Sequence, residues 1–314
     1  MSIVAQGLRR SFGREVAVDG LSLQVGHGEL YGLVGPDGAG KTTTLRMMAG
    51  LLTPDAGTVR VHPEATTAGT AASEGLAIGT DAARAALGYM PQHYSLYGDL
   101  SVDENLTFFG RLFGLSKAER TTRMDRLLHI TRLTRFRDRR AEALSGGMYK
   151  KLALACALLH QPKVLLLDEP SNGVDPVSRR ELWDLLHDFV EGGMAVLLCT
   201  PYMDEAARCH RVGLLHHGRL LAEGPPGDLV ARFRHPTVRL FVDNRDTVEA
   251  TLAADPAVLA VSPEGPALRV VVRAGVPSPL ARFGGRVESV AAEFEDVFLG
   301  LLRDPDAIAP ARAA

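Results

Sequence analysis

The first half of the chain repeats one pattern. Short runs that are apolar at every position alternate with glycine-rich turns and with longer stretches in which apolar residues fall at helical spacing. Leu30 to Val34 is such a run and leads into Gly35. Val164 to Leu167 ends in Asp168-Glu169, and Ala195 to Cys199 is a third. A strand covered on both faces has no polar side, so these runs predict a mainly parallel sheet with helices on its faces. Residues from about 100 to 160 read as helices instead. Ser101-Val102-Asp103-Glu104 and Ser116-Lys117-Ala118-Glu119 both have capping-box spacing, and apolar residues at helical spacing follow each. They predict a helical subdomain, about residues 93–160, inserted into the sheet domain.

Two stretches break the pattern. Pro63 to Arg84 is rich in Ala, Thr, Gly and Ser, has no periodicity, and predicts a mobile surface loop. Gly224-Pro225-Pro226-Gly227 predicts a break between a first domain, 1–224, and a second, 225–314. Beyond it, Val238 to Val242 and Leu268 to Val272 read as strands. Val248 to Ala254 and Glu293 to Leu302 read as helices. This tail predicts a small α+β domain of ferredoxin-like type with no catalytic constellation of its own.

Composition narrows the class. Of 314 residues, 46% are hydrophobic and 23% charged, which excludes disordered, collagen-like and disulfide-scaffold chains. A net charge of −2 gives no overall field to attract nucleic acid or anionic lipid. Cys156, Cys199 and Cys209 match no zinc spacing and read as buried thiols in a reducing compartment. The longest apolar run, Leu152 to Leu159, is far short of the ~20 residues needed to span a bilayer. The N-terminus lacks the apolar core of a secretory signal. A cytoplasmic protein is expected, with any membrane role exercised through a partner.

The strongest chemical signal is Gly35-Pro36-Asp37-Gly38-Ala39-Gly40-Lys41-Thr42-Thr43, which fits G-x-x-x-x-G-K-[ST] after an apolar strand. Glycines let successive backbone N–H groups turn inward on phosphate oxygens, and the following helix adds its positive end. Lys41 can neutralise the terminal phosphates and Thr42 can hold Mg²⁺. At this chain's residue frequencies the match arises by chance roughly once in two hundred such chains, so a turn that binds nothing is the weaker reading.

Asp168 and Glu169 stand at the carboxyl end of a buried strand, where ligands of open α/β sheets collect. One carboxylate suits Mg²⁺ and its water. The next suits orienting or deprotonating an attacking water. Leu144-Ser145-Gly146-Gly147-Met148 precedes the helical run Lys150 to Leu159. Ser145, Gly146 and Gly147 can form a second anion-binding helix end, although an ordinary N-cap has the same appearance. Two such ends in one chain would let one of them serve another subunit's nucleotide.

Together these residues resemble the ATP-binding cassette (ABC) family of transporter ATPases over about residues 3 to 224. Gly35 to Thr43 resembles the Walker A loop, Val164 to Glu169 Walker B, and Leu144 to Met148 the LSGG signature. Gly88-Tyr89-Met90-Pro91-Gln92 resembles the Q-loop, with Gln92 near Mg²⁺ and the attacking water. Gly173-Val174-Asp175 resembles the D-loop at the dimer contact, and Phe12 falls where the family stacks an aromatic on adenine. Tyr94 to Leu100, Asn172 to Pro176 and the ending Phe294 to Phe298 look like the drug-exporter branch.

The resemblance implies an α/β, P-loop NTPase sheet core with an inserted helical subdomain and a small C-terminal α+β domain. It implies ATP and Mg²⁺ as cofactors and a head-to-tail dimer, either a homodimer or a heterodimer with a second ABC ATPase. Each ATP would lie between Walker A of one subunit and the signature of the other. It also implies a polytopic membrane subunit as partner and a peripheral position on the inner face of the cell membrane.

One departure stands out. The family has a histidine, contacting the γ-phosphate, two residues before a Met-x-Glu-Ala pattern. Here Thr200-Pro201-Tyr202-Met203-Asp204-Glu205-Ala206 puts Pro201 there. Proline has neither imidazole nor N–H, so either hydrolysis is weakened or the loop simply varies. Arg132, Arg135, Arg137, Arg139 and Arg140 read as a solvated helix face rather than a nucleic-acid patch, since no base-reading fold accompanies them. Tyr94, Leu96 and Tyr97 read equally as core or as a docking patch for the membrane subunit. Three functions follow: the hydrolysing subunit of an exporter, a degenerate nucleotide-gated subunit paired with an active ATPase, or a soluble non-transport ABC ATPase.

Overall fold

A computed structural model describes residues 1–63, 75–93 and 95–309. They fall into two compact units. The first comprises Met1–Tyr202 with Leu215–Leu220, and the second Met203–Leu214 with the chain from Leu221 onward.

The first unit opens with two long strands, β1 (Ile3–Phe12) and β2 (Glu15–Val25), paired antiparallel. β3 (Leu30–Val34) follows, then α1 (Lys41–Met48), β4 (Ala56–Val61), the short β5 (Leu76–Ala77) and α2 (Asp81–Ala86). β6 (Leu87–Met90) leads to three helices, α3 (Val102–Leu112), α4 (Lys117–Ile130) and α5 (Gly146–Leu158). β7 (Val164–Asp168), α6 (Pro176–Glu191) and β8 (Ala195–Thr200) complete it. The strands form an antiparallel sheet in the order β2-β1-β4-β5 and a parallel group in the order β3-β8-β7-β6.

Every residue of β3, β7 and β8 is buried, which explains their unbroken apolar runs: both faces are covered. The sheet ends point Gly35, Asp168-Glu169 and Thr200-Pro201 at one edge, so register alone gathers residues far apart in sequence. Sequence periodicity implied one sheet; the antiparallel sheet is additional, because β1, β2 and β4 are half-exposed and interrupted by bulges.

The helices start where the capping boxes place them. Ser101 Oγ accepts from Glu104 N at 3.2 Å while Glu104 accepts from Ser101 N at 2.8 Å. Ser116 and Glu119 repeat the exchange. Each cap contributes about 1 kcal/mol to its helix.

Two expectations need correction. Within the stretch read as an aperiodic loop, β5 pairs with β4, and α2 is capped by Thr80, whose Oγ1 accepts from Ala83 N; residues 64–74 lie outside the described residues. The arginine run is no helix face. It spans one short 3-10 turn, Thr134–Phe136, and a loop in which Arg137 pairs with Asp103 and Asp125. Charge spacing cannot distinguish a helix face from a loop pinned by distant carboxylates.

In the second unit, α7 (Met203–Ala206) precedes β9 (Arg211–His216) and β10 (Arg219–Gly224); the turn joining these strands, Leu215–Leu220, belongs to the first unit. Pro226 opens α8 (Pro226–Ala231), so the Pro-Pro pair starts a helix at the position where its missing N–H costs nothing. Then come β11 (Thr237–Phe241), α9 (Arg245–Ala253), β12 (Val258–Glu264), β13 (Ala267–Val272), β14 (Arg286–Val290) and α10 (Phe294–Arg303).

The sheet order β12-β13-β11-β14, antiparallel throughout, is that of a ferredoxin-like split βαβ domain. The crossover between β13 and β14 is reduced to the short turn Pro279–Phe283. Along β13, Leu268, Val270 and Val272 enter an apolar core with Leu240 and Leu252. Arg269, on the opposite face, meets Asp296 of α10 in a two-pronged pair at 3.0 and 2.7 Å.

Candidate functional site

The loop from Gly35 to Gly40 turns β3 into α1. Gly40 has φ +103°, and a Cβ there would strike the Ala17 carbonyl oxygen, so only glycine fits. Lys41 is 4% exposed. Its Nζ donates to the carbonyls of Gly35 at 2.8 Å and Pro36 at 2.9 Å, and lies 4.0 Å from Glu169. Those carbonyls hold the ammonium at the loop's mouth.

Thr42 Oγ1 donates to Asp168 Oδ1 at 3.0 Å. Asp168 Oδ2 is buried and has no hydrogen-bond partner. Burial raises this carboxyl's pKa, and the Thr42 bond opposes the rise. A hydroxyl beside a half-satisfied, desolvated carboxylate is a fitting seat for a hard cation that keeps most of its waters.

Glu169 sits at φ +47°, a left-handed backbone that costs a non-glycine residue about 1–3 kcal/mol and occurs mostly where surroundings enforce it. Its N–H donates to Cys199 O at 3.0 Å. Its Oε2 accepts from Gln92 Nε2 at 2.8 Å and from Asn172 Nδ2 at 3.1 Å.

These side chains surround a cavity of about 680 Å³ lined by Phe12, Asp37, Gly38, Gly40, Lys41, Thr42, Thr43, Gln92 and Glu169. Pro201, Tyr202, Asn172, Glu15 and Ala17 complete the lining. Phe12 is 51% exposed and presents a free ring face, with the Arg10 guanidinium 5.2 Å from its centroid. Arg10 and the Ser11 N–H are both fixed by Asp55, at 2.8 and 2.7 Å.

At the Pro201 corner the Tyr202 N–H is already used by Thr200 Oγ1 at 3.0 Å, and Arg179 lies over the Tyr202 ring at 5.3 Å. Pro201 therefore brings no donor to the cavity.

Ser145, Gly146 and Gly147 do not line this cavity. Ser145 caps α5 by accepting from Met148 N at 3.4 Å. A Cβ on Gly147 would collide with the Ser178 side chain, so close packing against α6 also demands glycine here. Gly146 lines a separate cavity of about 710 Å³, shared with Gln92 and Gly173. Asp175 caps α6, accepting from Val177 N at 3.1 Å and Ser178 N at 3.0 Å. Sequence reading gave Asn172, Asp55 and Lys150 no role at the site. Asn172 stands three positions after Glu169, and that spacing alone hinted at it.

A phosphate loop on a parallel sheet, with a hydroxyl–carboxylate pair and a second carboxylate at the strand ends, defines a P-loop nucleotide-binding cassette. The family profile described as ABC transporter matches residues 18–172. The chain is 38% identical over 309 residues to a Nod factor export ATP-binding protein I of Ralstonia nicotianae, covering 94% of this chain and 92% of that one. It is 41% identical over 236 residues to a probable multidrug ABC transporter ATP-binding protein, YbhF, of Escherichia coli, covering 73% of this chain and 38% of the relative. A solved ATP-binding subunit of an ABC transporter superposes with TM-score 0.63 at 28% identity, covering 74% of this chain and 92% of that one. The chain belongs to the ATP-binding subunits of the ABC transporter family, whose ATPase domain binds ATP.

Proposed function

We propose that this chain is the ATP-hydrolysing subunit of a membrane exporter, a cassette of about residues 1–224 with a C-terminal extension. The observation that carries the reading is the convergence of Lys41, Thr42 and the Gln92–Glu169 pair on one cavity, with Asp168 bonded to Thr42. In this reading the backbone from Gly35 to Thr43 cradles the phosphates and Lys41 neutralises them. Phe12 stacks on the base.

Thr42 and the unpartnered Asp168 oxygen would hold Mg²⁺, with Gln92 beside them. The ion would supply charge neutralisation at the phosphates. Glu169, aimed by Gln92 and Asn172, orients and polarises the attacking water. Ser145, Gly146 and Gly147 lie outside the cavity, which supports a head-to-tail dimer in which they close over a partner's nucleotide.

Relatives named for Nod factor export and for multidrug transport support the export direction. Among the described residues no helix is long and apolar enough to cross a membrane, so a separate polytopic subunit would carry the cargo. The chain would then sit on the inner face of the cell membrane. The docking patch proposed for that subunit includes Leu96 and Tyr97; Tyr94 lies outside the described residues. Tyr97 is exposed and meets Phe108 edge-on at 4.7 Å.

A second reading, a nucleotide-gated subunit with weak hydrolysis, is favoured by the missing donor at Pro201. Steady-state phosphate release at saturating Mg-ATP tests the leading reading. Turnover that disappears in Lys41→Ala supports it; turnover that survives this change refutes it.

A further inference from the structure

The signature helix does more than present Ser145 and the glycines. One turn into α5, Lys150 Nζ donates to the Gln92 carbonyl at 2.8 Å and to the Glu169 carbonyl at 3.4 Å. The preceding residue, Tyr149, accepts the Leu96 N–H on its hydroxyl at 3.1 Å. Two consecutive residues of one helix thus hold both ends of the segment that carries Gln92.

The bonds form a closed circuit. Lys150 joins the backbones of Gln92 and Glu169, whose side chains bond each other at 2.8 Å. We propose that Lys150 is a positioning residue that fixes the Gln92–Glu169 pair and couples the signature helix to the hydrolytic site of its own chain; this rests on the role proposed above for Glu169.

The physical need is clear. Glu169 stands in a left-handed conformation that its neighbours must enforce, and its carbonyl is one of the groups Lys150 binds. Gln92 lies 58 positions before Lys150 in the chain, and beside this bond the Leu96 N–H bond to Tyr149 ties the same loop to α5. Three donors on one ammonium can satisfy two carbonyls at once. Burial lowers the pKa of this ammonium, and the charges of Glu169 and Asp168 oppose the fall. A movement of α5 when its N-terminus meets a partner's nucleotide would then reach Gln92 and Glu169 directly.

The test is Lys150→Met, which keeps the stem and removes the donors, beside Tyr149→Phe, which removes only a hydroxyl. Steady-state kinetics and amide hydrogen exchange over 92–97 are read on the full chain. The expected result for Lys150→Met is a kcat lowered about tenfold or more with KM for Mg-ATP nearly unchanged, since a misplacement of about 1 Å at the reacting groups can cost ~10²-fold in rate. Faster exchange over 92–97 should accompany it, and Tyr149→Phe should move both readouts less in the same direction.

A merely structural Lys150 would lower Tm while kcat stays at the wild-type value, and that outcome overturns the proposal. An equal loss of ATP affinity and kcat, or unchanged exchange, overturns it too. If Lys150→Met does not fold, Tyr149→Phe decides by the same criteria. A wild-type chain without turnover would refute the proposed function instead, and exchange alone would then judge the clamp.

Discussion

In the proposed function, Pro201 is the residue expected to limit the rate of hydrolysis. Phosphoryl transfer depends on donors placed around the γ-phosphate before reaction, and a missing donor in comparable sites costs roughly 10²–10³ in rate. Pro201 lines the cavity, and the adjacent Tyr202 N–H is committed to Thr200. Pro201→His is expected to raise phosphate release at least severalfold with ATP affinity nearly unchanged, because the loop from Gly35 to Thr43 is complete. Robust wild-type turnover that histidine leaves the same or lowers would show that water is positioned by another route.

Residues of this site were legible to the extent that they lie in contiguous runs. Lys41, Thr42, Asp168 and Glu169 announce themselves because a loop and a strand end each carry their chemistry in a few adjacent positions. Lys150 does not, since its role comes from proximity across the fold, 58 positions from Gln92, while Asn172, three positions after Glu169, carries only a weak local hint.

At the scale of elements, strands buried on both faces and helices with capping boxes could be read within a residue or two. β3 spans Leu30–Val34 and α10 spans Phe294–Arg303, close to the apolar patterns that mark them. β1 and β4 could not, because half-exposed strands with bulges lose the two-residue period. The short β12 and β14 escaped for a related reason: their exposed or half-buried positions mix Pro, Glu and Ser into the run.

The joint between β13 and α10 yields a prediction. Arg269 and Asp296 are both buried, and Asp296 also accepts the Glu293 N–H at 2.7 Å, so it serves the helix start and the ion pair together. Arg269→Met strands the Asp296 charge, a change that typically costs about 3–5 kcal/mol. Hydrogen exchange in α10 should accelerate accordingly, with exchange in α1 unaffected. Unchanged protection in α10 would show that apolar contacts alone dock the helix.

Over the whole molecule, the proposed function requires two meetings that one chain cannot complete alone. In the proposed function the exposed pair Tyr97 and Phe108 would meet the membrane subunit. Tyr97→Ser with Phe108→Ser should leave ATPase activity intact and move the protein from the membrane pellet to the supernatant of its own host's lysate. Continued sedimentation with membranes would return these rings to a local packing role.

The second meeting is the ATP-bound dimer, and it holds the central claim. Glu169→Gln keeps the bonds from Gln92 and Asn172 in shape while removing the base, so nucleotide should bind without being consumed. Light scattering on this variant, with and without Mg-ATP, is the most direct measurement. A mass that doubles from the 33.7 kDa protomer only with Mg-ATP, and fails to double when Lys41→Ala is added, is the predicted result. A variant that stays monomeric at saturating Mg-ATP, or that doubles without nucleotide, would contradict the account.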